Sequence, residues 1–164
     1  MFHTVTGDIL LTQAQAIVHG VAPNDDFKQG LALALREQYP AMVKDFRHWC
    51  HTTHPQPGTA WMWGTTGGRR IINLLTQDPP ASHGQHPGRA HGDHVNHALK
   101  ELHHLVEREK LTSLALPRLA TGVGGLEWTD VEPQIRKHLG TLQIPIFLYT
   151  HYQRGVAAQE PGLT

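Results

Sequence analysis

The chain predicts an α/β fold, with helices on both faces of a largely parallel sheet. Two observations predict it. Strand-like and helix-like segments alternate along the chain, and the connections between strands are long enough for crossovers. At 164 residues, a single domain buries a core without disulfide staples.

Phe2 to Thr6 alternates as a strand does and stops at Gly7-Asp8. Ala14 to Ala22, "AQAIVHGVA", holds a short apolar run bounded by polar residues, the mark of a buried strand. Gly30 to Tyr39 is rich in helix formers and is closed by Pro40, which is itself at home in the first turn of a second helix. "TAWMWG" and "GRRIINLLTQ" read as strands, the second entered through a Gly67-Gly68 turn. The polar segment that follows carries Pro79, Pro80, Gly84, Pro87, Gly88 and Gly92, so it is a loop. Asp93 is placed to cap the next helix, whose apolar residues Val95, Ala98, Leu99, Leu102, Leu105 and Val106 recur at helical spacing. "SLALP" is a short strand. Thr129 and Glu132 have the spacing of a capping box, Pro133 falls in the first turn, and Gly140 is placed to end that helix. "IPIFLYT" is the last strand. From His151 the tail has no period and is left unassigned, so the domain is read as residues 1–150 and the tail as 151–164.

Between "SLALP" and the last helix lies "LATGVGGLEW", with three glycines in four positions. Glycines cluster where the backbone takes positive φ or where something approaches it closely. In open α/β sheets ligands bind beyond the carboxyl ends of the strands, and this stretch sits at such an end. Backbone amides free of side chains, followed by a helix start, make an anion cradle. The alternative is a tight strand-to-helix turn. No Gly-Lys-Ser/Thr follows, so the stretch is not a Walker loop. Nor does it follow the first strand, as a dinucleotide fingerprint would.

Composition bounds the partners. Lys plus Arg and Asp plus Glu each number 14, so no global field steers the chain to nucleic acid or membrane. The basic spot at Arg69-Arg70 is too small to argue DNA binding by charge. A single cysteine, Cys50, fits a reducing compartment, and the N-terminus lacks a signal-peptide pattern. No apolar run approaches a membrane span. The expectation is a soluble, cytoplasmic monomer.

Several stretches together resemble the macrodomain family of ADP-ribose binders: "GDIL" at Gly7–Leu10, "AIVHGVAPNDDFKQGLALAL", "LPRLATGVGGLEWTDV" and "IFLYT". The resemblance spans Phe2 to about Thr150. Its most specific part is similar to the subclass of terminal ADP-ribose glycohydrolases and of antitoxin macrodomains that remove ADP-ribose from DNA. It implies a three-layer α/β/α fold with a mixed, largely parallel central sheet and an ADP-ribose cleft. Asp8, with the Ile9 backbone, would meet adenine. The backbone of Thr121, Gly122, Val123, Gly124, Gly125 and Leu126 would hold the diphosphate. Tyr149 would lie along the adenine or ribose face. Asn24 and Gly30 would line the first loop near the distal ribose.

The chain also departs from the family. The pair of asparagines after the second strand is reduced to Asn24, and Lys28 stands where a small residue is expected. The lysine and aspartate of the terminal glycohydrolases are replaced by Gln77 and Gly124. An amide nitrogen is not nucleophilic, so a covalent lysine-type adduct is lost. Asp25, Asp26 and Asp78 are the carboxylates that could activate a water instead. No catalytic residue is assigned. Two functions fit these residues: an ADP-ribosyl ester hydrolase that does without the lysine, acting on protein or nucleic acid, and a non-catalytic ADP-ribose reader or metabolite-binding module. A more distant reading is an unrelated nucleotide-phosphate binder. No cofactor is expected.

Histidines number 14, seven of them from His83 to His104. His94 and His97 share a helix face, and with His91 or His86 they have the character of zinc ligands. Such density reads more simply as a polar, proton-buffering surface, and no metal ligand is assigned. Trp61 and Trp63 share one face of their strand, which reads as core packing.

Overall fold

Strands Phe2–Gly7 (β1), Ala16–Val21 (β2), Ala60–Gly64 (β3), Arg70–Leu75 (β4), Leu114–Pro117 (β5) and Ile146–Tyr152 (β6) form one sheet in the order β1-β6-β5-β2-β4-β3. All neighbouring pairs run parallel except β3 with β4, which is antiparallel. The helices are Gly30–Gln38 (α1), Pro40–Thr53 (α2), Gly92–Glu109 (α3) and Trp128–Leu139 (α4). This computed structural model describes residues 1–65, 68–82 and 85–163. Gly67 of the expected turn, His83 and Gly84 of the polar loop, and Thr164 lie outside the described residues. Among the described residues, no helix is long and apolar enough to cross a membrane.

Successive strand residues point to opposite faces, and the chain fills both with apolar side chains. Ile17, Val21, Ile71, Leu75, Ala115 and Phe147 meet Leu35, Met42 and Phe46 of α1 and α2. Val18, Ile72, Leu74, Leu116 and Leu148 meet the Leu99–Leu102 stripe of α3 and the Val131, Ile135 and Leu139 stripe of α4. The sheet is therefore buried on both sides, as the sequence predicts. Trp61 meets Phe46 edge-on and stacks on Trp49, with ring centroids at 5.2 and 6.0 Å, and the Trp63 indole donates to Asp45 at 2.8 Å. Their shared face packs on α2.

Two helix starts differ from expectation. Asp93 lies inside the first turn of α3, and the extended residue before that helix is His91 (φ −130°, ψ 142°), with no side-chain cap bond. The His91 amide donates to the Thr76 carbonyl at 3.2 Å, so pairing with the end of β4 sets the start. α4 begins at Trp128 after Glu127, with no side-chain cap, so the Thr129–Glu132 capping box is not formed. Pro133 is consequently in the second turn. The buried stripe of α4 fixes its register, and packing outweighs the cap.

The tail is built into the fold. A register shift between Val5 and Thr6 lets β6 continue beside β1 as far as Tyr152, two residues past the expected boundary. Ala158 and Glu160 are buried, and the Asp8 amide donates to the Val156 carbonyl at 2.7 Å.

Candidate functional site

The carboxyl ends of β2 and β5 open into a cleft with two adjoining compartments, which share Gly30, Leu31 and Pro117. One is the more polar of the two, about 200 Å³, and reaches from His19, Asp25 and Asp26 to Gln77, Arg118 and the Ala120–Gly124 loop. The other is apolar, about 430 Å³, and is walled by Ile9, Leu10, Leu31, Ala34, Tyr149 and Tyr152.

The glycine loop belongs to the polar compartment. Ala120 takes φ +62°, a left-handed conformation unusual for alanine, and its carbonyl accepts the Leu126 amide at 3.0 Å. The Gly125 amide donates to the Gly122 carbonyl at 3.1 Å. Among the described residues, the amides of Thr121, Gly122, Val123 and Gly124 find no acceptor. Gly122 and Val123 are exposed and, with the buried Gly124, line the cleft, so this stretch offers unbonded amides along its wall. Such a row suits an anion with several oxygens. The two glycines serve different ends. A Cβ on Gly122 would meet nothing within 4 Å, whereas one on Gly124 would stand 2.6 Å from the Ala120 carbonyl oxygen and 2.8 Å from the Ala90 Cβ. Gly124 is therefore glycine because the loop closes on itself, and Gly122 leaves room for a ligand.

On the opposite wall Gly30 takes φ +58° as it opens α1, beside both compartments. The Asp25 carboxylate accepts the Ala22 and Phe27 amides, both at 2.9 Å, and burial raises its pKa above the usual carboxylate range. Asp26 is less committed: it accepts the Lys28 amide at 3.2 Å and faces His86 Nδ1 at 3.1 Å. His19, only 1 % exposed, holds the Asn73 side-chain oxygen at 2.6 Å through Nε2. Burial lowers its pKa to about 4, so the imidazole is neutral at neutral pH. Gln77 is buried, and its side-chain amide donates to the Gly88 carbonyl at 2.9 Å.

Tyr149 lines the apolar compartment while its hydroxyl donates to Glu160 at 2.8 Å. Burial raises the phenol pKa. Glu160 also accepts the Gln13 amide at 2.8 Å and the Thr12 hydroxyl. Asp8 is buried at the rim, with Oδ1 accepting the Leu10 amide at 3.0 Å and Oδ2 the Gly155 amide at 2.9 Å. It organises the turn and the tail; Gly7 and Ile9, not Asp8, wall the compartment.

The cleft thus brings together Ile9, Gly30, Gly122, Val123, Gly124 and Tyr149 of the residues expected from sequence. Thr121, Gly125 and Leu126 complete the same loop. Asn24 stands apart, in a left-handed turn (φ 57°) within a neighbouring recess shared with His54, Asp78 and His94. Asp78 accordingly leaves the set of cleft carboxylates. Its carboxylate instead meets His91 Nε2 at 2.7 Å and His94 Nε2 at 3.3 Å, and the His91 hydrogen bond holds its pKa below the usual range. His19, inside β2, and Arg118, directly after β5, also line the cleft, although the motifs do not single them out.

Comparison with known proteins matches this frame. The macro domain family model fits residues 14–135. The DNA ADP-ribosyl glycohydrolase of Thermus aquaticus is 27% identical over 153 residues, 91% of this chain and 41% of that protein. The chain therefore spans less than half the length of this curated relative. Among solved structures, the macrodomain of Mycobacterium tuberculosis DarG superposes with a TM-score of 0.81 at 23% identity, covering 91% of this chain and 97% of that one. Thermosipho africanus DarTG in complex with ADP-ribose gives 0.79 at 20% identity, over 93% of this chain and 42% of the other. With its sheet order, its cleft and the matched residues 14–135 in agreement, this chain belongs to the macro domain family.

Proposed function

We propose that this chain binds ADP-ribose, free or carried by a macromolecule, along the two-compartment cleft. The observation that carries this reading is the row of acceptor-less amides, Thr121 to Gly124, set beside an apolar compartment. A diphosphate supplies the oxygens that the amides lack, and an adenosine end fits a wall of Ile9, Leu31 and Tyr149. The solved relative in complex with ADP-ribose supports the choice of ligand. Calorimetric titration with ADP-ribose, ADP and AMP tests it. ADP-ribose should bind at least tenfold more tightly than either nucleotide, whereas equal weak binding of all three overturns the reading.

Turnover is a second reading, favoured by likeness to relatives named DNA ADP-ribosyl glycohydrolases. Gln77 provides no nucleophile, so water must attack the distal-ribose anomeric carbon directly, as the bond to the carrier breaks. The base that takes the water's proton is Asp26, which accepts one backbone amide and faces the exposed His86, whereas both oxygens of the buried Asp25 are held in place by backbone amides. Release of ADP-ribose from modified DNA or protein by the chain, lost in Asp26→Asn with ADP-ribose affinity retained, is the expected result. Binding without release in the parent chain leaves a reader. A lone, buried Cys50 thiol supports a reducing, cytoplasmic setting, and we take the working unit as a monomer.

A further inference from the structure

Among the described residues, one group of three potential metal ligands comes together: Asp78, His91 and His94. Asp78 follows the cleft residue Gln77 just beyond β4. Its backbone is held on both sides, its amide donating to the Arg89 carbonyl at 2.9 Å and its carbonyl accepting the Gly88 amide at 2.9 Å. Gly88 is required here, since a Cβ on it would stand 2.9 Å from the Asp78 Cβ. His91 is fixed by the hydrogen bond its amide donates to the Thr76 carbonyl, and His94 sits in the first turn of α3. Two elements thus point two imidazoles at one carboxylate, with ring centroids 5.0 Å apart and one donor atom from each residue within 4.8 Å of the others.

We propose that Asp78, His91 and His94 bind a divalent transition-metal ion of the zinc class. Zinc–nitrogen and zinc–oxygen bonds of about 2.0–2.2 Å hold tetrahedral donor atoms about 3.4 Å apart. The observed separations need only side-chain adjustment to reach that geometry. Two imidazoles and one carboxylate suit zinc, cobalt or nickel, whereas calcium and magnesium prefer an all-oxygen set. Three protein donors leave a coordination position for water, on the side of the recess that also contains Asn24 and His54. The ion clips the end of β4, next to the cleft, to the start of α3. The site is separate from the ADP-ribose reading and stands or falls without it.

The test uses the whole chain, without an affinity tag, stripped by chelation and titrated with Co(II). One equivalent should bind, with the visible bands of low-coordinate cobalt, be displaced by Zn(II), and raise the melting temperature. His91→Gln and His94→Gln keep side-chain bulk and a donor for Asp78; each should weaken binding at least tenfold while melting normally without metal. His48→Gln with His51→Gln, an exposed pair at the same spacing on α2, should leave the affinity unchanged. Several weak equivalents, or equal loss in the α2 variant, would mean scattered histidine binding and overturn the site. Should one glutamine variant fail to fold, Asp78→Asn decides by the same titration.

Discussion

His19 and Asn73 face each other across the parallel pair β2–β4, imidazole Nε2 to amide oxygen at 2.6 Å, with 1 % and 0 % of their surface exposed. The Asn73 amide nitrogen donates to the Met42 sulfur at 3.6 Å, so its oxygen accepts from His19. The imidazole proton is therefore on Nε2, and Nδ1 is left as an acceptor. Two polar residues among the Ile71–Leu75 apolar side chains are tolerated because they satisfy one another.

This pair makes stability depend on pH. The folded state holds His19 at about 4 against 6.5 for a free imidazole, so protonation favours the unfolded chain. Its contribution is complete above pH 6.5 and is lost as pH falls toward 4. The loss is on the order of 3 kcal/mol. Denaturant unfolding of the parent chain and His19→Gln at pH 7.5 and pH 4.5 checks it. Their stability difference should narrow or reverse in acid; a difference that does not change with pH would show that this imidazole is not the titrating group.

The glycine loop separates structural from ligand-binding need. Gly124→Ala should destabilise the fold by about 1–3 kcal/mol, because its Cβ meets backbone at 2.6 Å. Gly122→Val should melt within about a degree or two of the parent, since the Cβ meets nothing, and a surface change of that kind costs only tenths of a kcal/mol. Its ADP-ribose affinity should nevertheless fall more than tenfold. Unchanged affinity would place the diphosphate elsewhere.

Glu160 ties the tail to Tyr149, Thr12 and the Gln13 amide. Glu160→Ala leaves the buried Thr12 and Tyr149 hydroxyls and the half-buried Gln13 amide without an acceptor, so unfolding free energy should fall by about 2–4 kcal/mol. Tyr149→Phe removes only one donor and should cost about 1 kcal/mol. If the two variants melt alike, the tail contributes through backbone contacts instead.

Most of the fold was legible because its signals are local. The buried runs at Ile71–Leu75 and Ile146–Leu148, the α3 stripe and Pro40 between two helices each act within a few residues. The glycine loop was legible as a motif, but not the division of labour within it. Whether Gly124 serves ligand or chain depends on how the loop folds back on Ala120 and packs against Ala90, the latter distant in sequence. Glu160, 148 residues from Thr12, sits in a tail with no period and announces nothing locally. The Asp78–His91 contact was hidden for a similar reason: helical spacing favoured His94 with His97, while the true partner enters from the end of β4.

Asp8 is where the sequence reading and the geometry divide most usefully. The family resemblance gives it to adenine, yet both its oxygens already accept backbone amides, from Leu10 and Gly155. Each oxygen keeps a second lone pair, so the two roles are additive and can be measured apart. Asp8→Ala should lower stability without ligand by about 1–3 kcal/mol, the cost of stranding two amides. Asp8→Asn retains an acceptor for one of them and should cost less. If adenine also uses this carboxylate, affinity for ADP-ribose should drop several-fold in Asp8→Asn while ribose phosphate binds as before. Equal losses for both ligands would confine Asp8 to holding the turn and the tail, and leave adenine recognition to the apolar wall of Ile9, Leu31 and Tyr149.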